Sequence, residues 1–85
     1  MWPLEVRKYL LDIAQACDLL RQFCSGKTLR DYQGDPLLRS AVERQFEIVG
    51  EAVRRAIQLE PDLAARISDA GRIIAFRNRL THAYA

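Results

Sequence analysis

Long apolar runs are missing from this chain: no stretch approaches the roughly 20 residues that span a bilayer. Its opening, "MWPLEVRKYL", carries charges every few residues, unlike the uninterrupted apolar segment and small-residue cleavage site of a secretory leader. The cytoplasm is the expected compartment. Histidine occurs once and cysteine twice. Two cysteines and one distant histidine match no zinc-ligand spacing, so no metal centre is expected. Cys17 and Cys24 stand seven apart in one predicted helix, about 10 Å along its axis, too far to pair, and they read as reduced core thiols. Also missing are β-period alternation of useful length, internal repeats and low-complexity segments, which leaves an all-α fold.

What is present suits one small globular domain. Hydrophobic residues make up 49% of 85 positions and charged residues 28%, a soluble balance. At this size a lone core is marginal, so a partner surface is expected. Pro3 suits the first turn of a helix. Val6, Leu10, Ile13, Cys17, Leu20 and Cys24 then recur in alternating steps of four and three, a continuous stripe. Gly26 in "SGKT" is the expected stop. "LRDYQGD" reads as a turn or short helix, broken by Gly34. Asp35 then caps the next element and Pro36 takes its first position. A second long helix is predicted from about Pro36 to Gln58, with Leu38, Val42, Phe46, Val49, Val53 and Ile57 on one face. Ala41, Ile48 and Ala52 widen that face, which implies neighbours on more than one side. Gly50 costs of order 1 kcal/mol against alanine there, and suggests a close approach by another helix. Glu51 sits at the edge of the apolar face. After "EPDL", Ser68 or Asp69 can cap a third major helix containing Ile73, Ile74, Phe76 and Leu80. The predicted architecture is an antiparallel helical bundle.

The net charge of +2 is too small to argue from, but its distribution is not even. From Ala70 to Ala85 there is no Asp or Glu, while Arg72, Arg77 and Arg79 stand near His82. Such a patch favours an anionic partner such as a phosphodiester; cations collecting near a helix C-terminus to suit its dipole would look the same. Arg77, Asn78, His82 and Tyr84 crowd into "RNRLTHAY". On a regular helix Arg77 and His82 would point about 140° apart, whereas Asn78 and His82 share a face and Arg77 nearly eclipses Tyr84. Either the helix ends near Leu80, or two copies of the motif face each other across a two-fold axis. Arg77 follows Ile73 and Ile74 by four and three residues, beside the apolar stripe. There a guanidinium meets an anion or snorkels to water. His82, with a reference pKa of about 6.5, suits proton transfer, and a capping or surface imidazole is the plainer alternative. Asn78 as a helix-end amide and Tyr84 as a surface aromatic have similarly plain readings.

The pattern Arg, four residues, His, one residue, Tyr resembles the signature of HepT-type toxins in the HEPN superfamily (higher eukaryote and prokaryote nucleotide-binding domains). "YLLDIAQACDLL" is similar to that family's opening helix, "AVERQFEIVGEAVRRA" to its second, and "IIAFRNRLTHAY" to its catalytic segment. The resemblance implies a metal-independent endoribonuclease acting as a homodimer, with paired motifs lining an interfacial cleft. It further implies the toxin role in a type VII-like toxin–antitoxin pair. The antitoxin would be a minimal nucleotidyltransferase (MntA-like) that uses ATP and Mg to attach AMP to the motif tyrosine. Carried onto this chain, Arg77 and His82 are the catalytic pair, Asn78 supports them and Tyr84 is the AMPylation site, with no cofactor for RNA cleavage itself. Family members continue past the tyrosine into another helix. The expectation is therefore a single domain over residues 1–85 without this helix, its bundle completed either by homodimerisation or by a further segment. The competing expectation is a non-catalytic helical accessory subunit that binds a nucleotidyltransferase. No base-reading motif or stacking platform is evident, so no RNA sequence preference is expected from the residues.

Overall fold

The computed structural model describes residues 2–67. They form four helices and no strand: α1 (Leu4–Cys24), α2 (Leu29–Gly34), α3 (Pro36–Leu59) and α4 (Leu63–Arg66). The all-α expectation holds, and the predicted third major helix lies outside the described residues.

The helix ends follow local chemistry. Pro3 stands at the N-cap of α1, one position earlier than the sequence suggested. At the other end Ser25 is extended and Gly26 has φ 71°, while the Lys27 N–H donates to the Cys24 carbonyl at 3.0 Å. A side chain at Gly26 would be strained in that turn. Thr28 and Asp31 open α2 with a reciprocal capping box: the Asp31 N–H donates to Thr28 Oγ1 at 3.1 Å and the Thr28 N–H to Asp31 Oδ2 at 2.9 Å. Those hydrogen bonds from Thr28 hold the Asp31 carboxyl below its ordinary pKa. Asp35 caps α3 by accepting from the N–H groups of Leu37 and Leu38 at 3.0 and 3.2 Å, with Pro36 in the first turn.

α1 and α3 run antiparallel, as three sets of contacts show. Val6, early in α1, clusters with Ala56, late in α3, and with Leu63; Ala16 clusters with Val49 and Val53; Phe23, at the end of α1, lines one hollow with Leu37 and Leu38. The largest wholly buried side chains are Val6 and Val53. Beside them lie Ala16, Ala52 and Ala56, so the helices meet through small residues and can approach closely. Ile57 and Ile67 each pack against both clusters and join them into one core. α2 lies against α3 through its own ends. Arg39 donates to the Gln33 carbonyl and, at 3.5 Å, to that of Tyr32, and the Tyr32 hydroxyl donates to Glu43 at 3.2 Å.

Two expectations about the core need correction. Cys24 is exposed and only Cys17 packs against the core, because the stripe drifts off the contact line as α1 reaches its end. Phe46 keeps 37% of its surface open, whereas Ala16, which the stripe passed over, is 2% exposed. Gly50 is buried in α3.

Truncating Val53 to alanine removes two methyl groups from the tightest part of this core. Val53→Ala should lower unfolding free energy by about 2 kcal/mol in urea titration. Asp35→Ala should cost about 1 kcal/mol, with Asp35→Asn restoring most of it, since an amide oxygen also accepts at an N-cap.

Candidate functional site

The four residues singled out in the sequence, Arg77, Asn78, His82 and Tyr84, lie outside the described residues. What the structure defines is the platform from which their segment departs. α3 ends as the Glu60 N–H donates to the Ala56 carbonyl at 2.8 Å, and Pro61 cannot continue the ladder. The Leu63 N–H donates to the Glu60 carbonyl at 3.0 Å, and Leu63 is 3% exposed. The short α4 closes with the Ile67 N–H on the Leu63 carbonyl at 2.9 Å. Ile67, set in both core clusters, is the residue after which the motif-bearing segment begins.

Among the described residues an open groove of about 220 Å³ lies between α1 and α3. Tyr9 and Asp12 line it from α1, and Arg44, Glu47, Ile48, Glu51 and Ala52 from α3. Three of its charges are paired along α3. Glu51 Oε1 accepts from Arg55 Nε at 3.0 Å and from Arg54, and Arg44 reaches Glu47 at 4.0 Å. These are i,i+3 and i,i+4 pairs on one helix, each worth a few tenths of a kcal/mol. The groove's lining holds no imidazole and no thiol. No group of three or more His, Cys, Asp or Glu able to hold a metal occurs among the described residues. None of their helices is long and apolar enough to cross a membrane.

Two contacts here escaped the sequence. Tyr32 to Glu43 joins residues eleven apart, and the Arg66 guanidinium lies 5.5 Å from the centroid of the Trp2 ring. Each joins different elements of the chain, so no periodicity within one helix marks it.

The family model described as "Ribonuclease HepT-like" matches residues 13–85, a span that includes the whole of "RNRLTHAY". A Thermococcus cleftensis protein named "Probable ribonuclease HepT" is 32% identical over 82 residues, covering 92% of this chain and 70% of that one. A Caldanaerobacter subterraneus subsp. tengcongensis protein named "Putative RNase TTE0752" is 42% identical over 48 residues, 56% of this chain. The chain spans 43% of that relative's length. No solved structure matches the chain significantly. With its helical core and a family match running from the middle of α1 through the terminal motif, the chain belongs to the HepT-like ribonucleases of the HEPN superfamily.

Proposed function

We propose that this chain is a metal-independent endoribonuclease and the toxin of a toxin–antitoxin pair, with Arg77 and His82 as its catalytic residues. The observation that carries the reading is the span of the family match, which runs through Arg77, Asn78, His82 and Tyr84 without a break. RNA brings its own nucleophile to such a site. The 2′-hydroxyl attacks the adjacent phosphorus, its proton passes to His82, and the bond to the 5′-oxygen breaks. That oxygen receives a proton from an imidazolium or water, leaving a 2′,3′-cyclic phosphate and a 5′-hydroxyl. Arg77 holds the non-bridging oxygens by paired charge-assisted hydrogen bonds as negative charge builds on them. Asn78 orients the imidazole or the phosphate. One histidine per chain makes a second copy useful, because two facing motifs supply both a base and an acid.

Tyr84 is the proposed switch. A minimal nucleotidyltransferase using ATP and Mg would attach AMP to its hydroxyl, placing bulk and negative charge two residues from His82, where they exclude RNA. In this reading residues 1–85 act as one helical domain in the cytoplasm, and ATP and Mg serve only the partner.

Arg77→Ala and His82→Ala should each lower RNA cleavage by at least about 100-fold in EDTA-containing buffer and relieve growth arrest, with helical circular dichroism unchanged. Equal cleavage by both variants and the parent chain would remove the mechanism. After co-expression with a minimal nucleotidyltransferase, intact mass should rise in AMP-sized steps, and Tyr84→Phe should show none. A Tyr84→Phe protein that still gains those steps would place the modification elsewhere.

A further inference from the structure

α3 carries an exposed leucine near each end, Leu37 with 80% and Leu59 with 45% of its surface open. Each stands eleven positions from Ile48, one on either side. Eleven residues make about three helical turns, so both leucines leave α3 within about 20° of the direction that Ile48 takes. Ile48 is half-buried and lines the groove beside α1. That groove continues along the helix pair, through a hollow that Leu19 and Ile48 share, to the hollow of Phe23 and Leu37. A leucine exposed by itself needs no explanation. Two of them placed symmetrically about a third apolar residue give one face of α3 a centre.

We propose that a second copy of the chain docks on this face, with α3 antiparallel to its counterpart and the two-fold axis passing at Ile48. Such an isologous contact must be self-complementary, because each residue meets the one that mirrors it across the axis. The sequence of α3 meets that demand. Leu37 of each copy falls opposite Leu59 of the other, and Ile48 falls opposite Ile48. Gln45 falls opposite Glu51, so an amide can donate to a carboxylate, and Arg55 can lay its stem over Ala41. No charged residue of α3 falls opposite a like charge in this register. The size also suits. α3 has 24 residues, about 36 Å of helix, and with α1 beside it the face is roughly 20 Å wide, or about 700 Å². Stable interfaces bury about 800 Å² per partner, and a chain of 85 residues with a narrow core gains most from such cover. The contact goes beyond the ribonuclease reading and does not need it; only the sharing of one RNA by paired motifs would rest on that reading.

Sedimentation equilibrium of the full chain, up to about 100 μM, should show a dimer. Leu37→Glu and Leu59→Lys should each weaken it at least about tenfold, because each sets a charge against a leucine. The first places its charge in the first turn of α3 and the second in the last turn, where the helix dipole favours them, so helical circular dichroism should stay at the parent value. In the chain carrying both substitutions each carboxylate meets an ammonium across the axis, and dimerisation should return to within about threefold of the parent. Leu29→Glu, on α2 at a residue 71% exposed, should leave the dimer intact. Recovery in the double variant carries the most weight, since Leu37 and Leu59 stand at opposite ends of one helix and cannot meet within a chain. A dimer that both single variants leave intact has its interface elsewhere and overturns the proposal. So does a double variant no tighter than the weaker single, and so does equal weakening by Leu29→Glu. A parent chain that stays monomeric overturns it too, and leaves the face to a different protein. None of these outcomes depends on RNA cleavage: full cleavage by His82→Ala would defeat the ribonuclease reading, and the measured mass would still decide the interface.

Discussion

The close contact of α1 with α3 through valine and alanine is the constraint on which the rest of this fold depends. With Val6 and Val53 as the largest wholly buried side chains, and Ala16, Ala52 and Ala56 beside them, the core is narrow and the helix axes can lie near each other. A narrow core has little room to absorb a change in volume by shifting neighbours, because protein interiors are close-packed. It also buries little apolar area, so the helix caps and the ends of the helices supply more of the stability than they would in a larger domain. The capping box at Thr28, the Asp35 cap and the Arg39 contacts on the last carbonyls of α2 all serve that need.

Charge is kept out of this core. No polar or charged residue is buried among the described ones, and the ion pairs of α3 close within the helix. The α1–α3 pair therefore acts as scaffold, and two carboxylates of the groove beside it, Glu47 and Glu51, pair along α3. The chemistry proposed for the family motif belongs to the segment that follows Ile67. Among the described residues, Ile67 and Ile57 touch both halves of the core. The place where the motif segment is attached is thus the place where the two hydrophobic clusters are joined, and the rigidity of the scaffold is delivered there.

The sequence made the helix ends easy to read because each depends on chemistry within a few residues. Gly26 supplies a positive φ, Asp35 and Pro36 supply a cap and a compatible first turn, and Pro61 ends a ladder. The face of α3 was equally readable, since Leu38, Val42, Val49 and Val53 are buried as the period requires. Burial at the helix margins was not. Cys24 has the right spacing but stands where α1 runs past its partner, and Ala16 looked neutral by composition although the helices cross over it. The motif was legible in another sense. Its residues and spacing named a family, which the match over residues 13–85 bears out, but a regular helix could not bring Arg77 and His82 to one side.

By itself, then, the sequence determined where α1 and α3 run, where they stop, and which family the chain belongs to, because these depend on short-range periodicity and on residue identity. Only the tertiary structure decided that the helices meet through alanine at position 16, that Tyr32 answers Glu43, and that Arg66 rests on Trp2. The physical reason is that such contacts join residues on different elements, where periodicity within one helix carries no information, and they exist only once those elements have packed together.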